Sequence, residues 1–182
     1  MTPKSEEGFS YVEVMIAIVI LTFGILELLS GVAGAVVLSR GQQQQVTAKH
    51  IATSAIESIM SVKETDPARM GWDAVGNVGS NIDDNGVPHG IFSTGYQDVR
   101  SDAGADEVIG TADDSGAIVS GYQREIVITD QCDPDRPSPN CPTPGTWKVK
   151  VRSVQVNVRY FVGVSQRTET LTTVLTDYSV AQ

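Results

Sequence analysis

Hydrophobic and polar positions divide the chain into four unlike stretches. From Phe9 to about Leu29 the sequence is almost uninterruptedly apolar. As a helix it would span ~30 Å, the thickness of a bilayer's hydrocarbon core. Beyond Gln42–Gln45, apolar residues return at three- and four-residue spacings: Val46, Ile51, Ala52, Ala55, Ile56, Ile59 and Met60. That spacing predicts one stripe of an amphipathic helix, with Lys49, Ser54, Glu57 and Lys63 on other faces. Thr65-Asp66, ahead of Pro67, predicts its end. A single helix from Phe9 to Glu64 would be ~84 Å long.

Residues 68–121 are rich in Gly, Asp, Asn and Ser and show no long periodicity. Asn85-Gly86 reads as a turn, and Ile91, Phe92 and Tyr96 are candidate anchors. The expectation here is an ordered excursion with short strands, or a mobile loop. From Gly121 the pattern changes to alternation. Tyr122–Asp130 is one strand; Trp147, Val149 and Val151 share a face, as do Val154, Val156, Val158 and Tyr160. Those two sets are out of phase, which predicts a bulge or bend at Arg152-Ser153. In the last strand, Thr168–Tyr178, Leu171, Thr173 and Leu175 lie opposite Thr172, Val174 and Thr176. Together these runs predict an antiparallel meander of at least three strands packed on the helix stripe, an α+β fold. So small a sheet needs a helix over one face.

Composition narrows the function. With 182 residues there is room for one domain and a long helix, not for a large enzyme. A net charge of −9 argues against nucleic-acid binding through a general basic surface. The charges are segregated, with 14 acidic and 3 basic residues from Asp66 to Asp135 against 2 acidic and 6 basic from Arg136 onward. The two groups could meet within one fold or between subunits. Sequence motifs for a nucleophile elbow, a P-loop or an H-E-x-x-H site are absent, and His50 and His89 are isolated, so no catalytic role is expected. Neither histidine has ligand spacing to Cys132 or Cys141. In an oxidising compartment those two cysteines would close a short disulfide loop worth ~2–3 kcal/mol in the chain-entropy model; otherwise they are two free thiols.

The stretch from Ser101 to Ala117 is oxygen-rich and punctuated by glycines. Asp102, Asp106, Asp113 and Asp114 are candidate calcium ligands, since calcium takes 6–8 oxygens from a chain able to wrap tightly. The order is not that of an EF-hand. The alternative is a solvated acidic loop whose aspartates make Asx-turns.

At the start of the chain, Gly8-Phe9-Ser10-Tyr11-Val12-Glu13 follows a short polar leader and opens the apolar run. A carboxylate inside a membrane span is costly and marks function by default. This arrangement resembles the class III signal of type IV prepilins and pseudopilins. EVMIAIVILTFGILELLSG is most similar to PilV-type minor pilins, over roughly residues 8–65. The resemblance implies cleavage after Gly8 by a prepilin peptidase, N-methylation of Phe9, and a Glu13 that pairs with a neighbouring subunit's N-terminus to set register.

It also implies a pilin-like fold, a long N-terminal helix on a small antiparallel head sheet. The corresponding divisions are 1–8 leader, 9–38 membrane or filament-core helix, 39–65 helix on the head, 66–121 acidic insertion and 122–182 head sheet with the Cys132–Cys141 loop. Its partners would be other pilins, the peptidase, an inner-membrane assembly platform and the bilayer before assembly. The head would lie in the periplasm and then in a pilus or pseudopilus. A PilV-like helix, with no proline between Phe9 and Leu38, favours a minor pilin over a major one. A minor pseudopilin of a type II secretion system and a tip-located adhesin are the alternatives. Some relatives bind calcium, which adds to the reading of the acidic loop.

Three features stand apart from the pattern. The leader is acidic at Glu6 and Glu7, where such leaders are often basic. Glu27 is a second acid within the apolar run, expected at the far membrane interface or opposite a basic residue of a partner helix. Ala33-Gly34-Ala35 matches a secretory cleavage site, but the acidic leader and the long apolar run argue against that use.

Overall fold

The computed structural model describes residues 8, 10–65, 71–83, 85–131, 149 and 151–177. Helix α1 is Tyr11–Glu64. Ser10 begins it: its carbonyl accepts the N–H groups of Glu13 and Val14 at 2.9 and 3.2 Å. Glu13 lies in the first turn and Lys63 in the last, each of the sign that the helix dipole favours. No proline interrupts the helix, and the turn bonds after Glu64, from Thr65 N–H and Gly71 N–H to the Val62 carbonyl, close it where the sequence predicts.

The chain divides into two units, residues 1–42 and 43–182. In the first unit every residue from Ser10 to Arg40 is exposed, although most are apolar. Hydrogen bonding there is internal to the helix, with Thr22 Oγ1 donating to the Ile18 carbonyl at 2.7 Å. Such a surface has no driving force to remain in water.

The second unit holds the core. Four strands, β1 (Gln97–Asp102), β2 (Ser115–Gln131), β3 (Val151–Val162) and β4 (Ser165–Thr176), form an antiparallel sheet in that order. The helical residues of this unit cover one face. Ala48, Ala52, Ala55, Ile59 and Val62 are at most 1 % exposed and pack with Ile126, Val154, Val156, Val158, Tyr160 and Leu175. The fold is therefore α+β, as expected.

The stripe itself needs correction. Val46 and Met60 are 54 % and 48 % exposed, while Ala48 and Val62 are buried in their place; Ile51 and Ile56 flank the contact. The buried positions follow i, i+4, i+7, i+11, i+14, one face of a helix. Three of the five are alanines, which let the helix approach closely, so the larger residues flank the line of contact.

On β3 the buried face runs Arg152, Val154, Val156, Val158, Tyr160 without a break. Its register with β4 is regular from Val151↔Thr176 to Val162↔Ser165, so the bulge predicted at Arg152-Ser153 is absent. The phase conflict is resolved because Arg152 takes a core position and Val151 turns to the other face. Irregularity lies instead between β1 and β2, with register shifts between Asp98 and Arg100 and between Arg100 and Asp102. β1 had no alternating signal in the sequence. The β3–β4 connection is the two-residue turn Gly163-Val164, with Gly163 at φ 61°. Leu175 is buried and Leu171 half-buried, on the phase expected for that strand.

The segment before β1 is tied down by side chains. Trp72, Ala74, Val75 and Phe92 join the core. The amide of Asn77 acts as a strand residue, donating to the Ile126 carbonyl at 2.8 Å and accepting from Ile128 N–H at 2.9 Å. The Asn85-Gly86 turn is present: Gly86 has φ 81° and its N–H donates to the Asp83 carbonyl at 3.0 Å. Tyr96 anchors through its ring, with the Arg159 guanidinium 4.1 Å from the centroid.

Candidate functional sites

Of the N-terminal signal, Gly8 and Glu13 are described and both are exposed; Phe9 and residues 1–7 lie outside the described residues, as does any pairing of the Phe9 amine. Glu13 and Glu27 are exposed on α1, and neither makes an ion pair among the described residues. α1 is long and apolar enough to cross a membrane. The loop with Cys132 and Cys141, and therefore the expected disulfide, also lies outside the described residues.

The four aspartates of the acidic loop all have partners within it. Asp102 Oδ1 accepts Gly104 N–H at 2.9 Å, and Asp106 Oδ1 accepts Val108 N–H at 2.8 Å. The second contact spans Glu107, held at φ 58°. Asp113 Oδ2 accepts the N–H groups of Ala105 and Asp106 at 2.8 and 3.2 Å, and its Oδ1 accepts the Thr111 hydroxyl at 2.6 Å. Gly104, at φ 75°, crosses so close that a Cβ would lie 2.4 Å from the Asp113 carbonyl oxygen. Asp114 turns inward to Arg124. Among the described residues no three His, Cys, Asp or Glu side chains are grouped to hold a metal ion. These contacts are those of an Asx-turn loop, and the calcium ligand set is not assembled.

The hydrogen bonds set the electrostatics of the loop. The Thr111 hydroxyl, and after it the Asp106 and Ala105 amides, hold the Asp113 carboxyl below the usual carboxylate range, against a smaller opposing effect of burial. In the neighbouring turn, Val87 N–H, with help from His89 and Asn85, does the same for Asp83. His89 Nε2 lies 3.3 Å from Asp83 Oδ2. His50 is exposed on α1.

The acidic middle and basic end of the sequence do meet within this fold. Arg152 is buried, with Nε 2.9 Å from Asp130 Oδ1. It also donates to the Trp72 and Val75 carbonyls and lies 4.4 Å from the centroid of the Trp72 ring.

Arg124 is the second buried guanidinium, its side chain 4 % exposed. Its Nη2 is 2.8 Å from Asp114 Oδ2, and both oxygens of Asp114 also accept Gly110 N–H at 3.1 Å. Burial pulls the guanidinium below its ordinary range, and the adjacent Asp114 works against that. Gly110, at φ 98°, brings the loop onto the strand, and a Cβ there would meet Ile126 Cδ1 at 2.4 Å. Ser93 N–H donates to the Gly110 carbonyl, and Ser58 Oγ accepts Ile109 N–H at 2.9 Å, which fixes the loop to α1. A cleft of about 280 Å³ opens beside Arg124, bordered by Gln97, Asp98, Arg100, Gly110, Thr111 and Asp114.

Sequence inspection missed both arginines. The available signal was phase: Arg124 alternates with Ile126 and Ile128, and Arg152 with Val154 and Val156, so each occupies a hydrophobic slot of its strand. No protein-family model, curated protein or solved structure matches this chain.

Proposed function

We propose that this chain is a minor pilin, a structural subunit cut after Gly8 by a prepilin peptidase and assembled through α1 into a type IV pilus. The observation that carries this reading is the division of labour along one helix. Its first part is apolar and exposed on all sides, with Glu13 in the first turn, and its second part is committed to a head sheet. Before assembly the first part lies in a bilayer, where its backbone bonds are satisfied internally. In a filament the helices of neighbouring pilins replace lipid. There Glu13, costly if unpaired in an apolar environment, is satisfied only by a cation in register, the new amine of a Phe9. The Gly8-Phe9 signal and the resemblance over residues 8–65 support the same conclusion.

The test is the intact mass and N-terminal residue of the protein taken from the cell envelope. The expected chain begins at Phe9 with one added methyl, and a Gly8 variant that blocks cleavage stays unprocessed. A chain beginning at Val36, or normal maturation of the Gly8 variant, would sink the proposal.

A further inference from the structure

The cleft beside Arg124 is unevenly furnished. Of the guanidinium's five N–H groups, those on Nη2 address Asp114, and Nε and Nη1 have no protein partner among the described residues. No fully buried side-chain nitrogen or oxygen among the described residues lacks a partner, so neither nitrogen is fully buried, and Arg124 lines the cleft. Arg100 borders the same space, with Nη1 occupied by the Gly116 carbonyl at 3.2 Å and the rest of its fork unassigned. The carboxylates at the cleft are partly engaged: Asp114 accepts from Gly110 and Arg124, and Asp98 Oδ1 accepts Gln123 Nε2 at 3.0 Å. Asp98 Oδ2 is left without an assigned partner among the described residues, against the several unassigned N–H groups of Arg124 and Arg100, so unused N–H groups outnumber unused carboxylate oxygens.

We infer that this cleft binds a carboxylate group, held by the open edge of the Arg124 guanidinium and by Arg100. The planar fork of an arginine matches the two oxygens of a carboxylate, and such charge-assisted pairs are the strong ones. Asp114 holds the fork from its other side, so Arg124 is oriented before the ligand arrives. Gly110 and Thr111 form the rim, and the loop they belong to is pinned to α1 through Ser58. The carboxylate is either that of a small free acid or the C-terminus of a polypeptide. The site stands independently of the pilin reading, because every residue in it belongs to the head.

The experiment is an NMR titration of the full-length, ¹⁵N-labelled chain in detergent micelles. Sodium acetate is added against sodium chloride at matched ionic strength, with acetamide as the neutral probe of the same shape. Acetate should produce saturable shifts at the Arg124 Nε–H and at the Gly110 and Thr111 amides; acetamide and chloride should not. Arg100→Gln should leave the spectrum dispersed and weaken acetate binding about tenfold, the effect of losing one charge-assisted contact. Arg124→Lys, which keeps the charge beside Asp114 but not the fork, should remove saturation.

Non-saturating shifts, an equal response to acetamide, or an Arg100→Gln variant that binds as before would overturn the assignment. The Arg100 result decides the matter even if Arg124→Lys does not fold. N-acetylglycylglycine and its C-terminal amide then distinguish the sources. Binding of the acid at least tenfold tighter than acetate, with no binding of the amide, assigns a polypeptide terminus; equal affinity for the two acids assigns a small free carboxylate; binding of the amide as tight as the acid counts against a carboxylate site altogether.

Discussion

Arg124 and Arg152 occupy strand positions where the alternation places hydrophobic residues, and each is held by a different means. Arg152 is satisfied by protein alone: one carboxylate, two carbonyls and an aromatic face. Arg124 has one carboxylate and an opening. The first arrangement is a clamp on the 72–75 segment, and the second leaves chemistry available. Beside them, Asp113 organises the acidic loop through three donors. Because its carboxyl is depressed in the fold, its contribution is fully present above the ordinary Asp range near pH 4 and is lost as pH falls through the lower, folded value. The protection of the Ala105 and Asp106 amides, measured relative to the intrinsic exchange rate at each pH, should therefore fall only below about pH 4. Thr111→Val removes the largest of the depressing contacts. It should move that acid transition upward toward the usual range, and an unmoved transition would show that the loop does not depend on this hydroxyl.

At the level of elements, α1 meets the sheet through an alanine line. Replacing Ala52 or Ala55 by Leu forces three extra side-chain heavy atoms into a closed contact, and overpacking of that kind costs ~1–3 kcal/mol. The same change at Val46, which is exposed, should leave denaturant midpoints nearly unchanged. Equal midpoints for the two classes would refute the assigned helix face. This contact also shows what was readable in advance. Spacing alone predicts the helix, its end near Glu64, the strands β2, β3 and β4 and the apolar span. It misjudged which positions touch the sheet, because hydrophobicity favours Val46 and Met60 while close approach favours Ala48. It missed β1, since Gln97-Asp-Val-Arg-Ser-Asp102 is an edge strand with shifted register and one buried residue, Val99. Candidate metal ligands were visible as four aspartates. Which of them point at backbone amides depends on tight crossings at Gly104 and Gly110, and spacing does not encode those.

For the whole molecule, the two margins of the sheet are treated differently. The β1 margin is short, shifted in register and charged at Asp98, Arg100 and Asp102, which are the ordinary means of preventing further pairing. The β4 margin is twelve regular residues, and its row Gln166, Thr168, Thr170, Thr172, Val174, Thr176 carries no charge. Among the described residues nothing pairs with it beyond β3. Heads cut free as residues 43–182 should accordingly self-associate as concentration rises in sedimentation experiments, and Val174→Lys should suppress this. Concentration-independent sedimentation of the parent head would show that the margin is inert.

Two identical β4 margins that join antiparallel, with the faces of their sheets continuous, are related by a two-fold axis through the sheet. That operation turns the helix lying on one head to run against the helix on the other. Copies whose head helices run parallel cannot be related by that rotation. An assembly that holds those helices parallel, as the proposed pilus would, then acts as a quarantine: it forbids by orientation the pairing that the β4 margin of a free head leaves open.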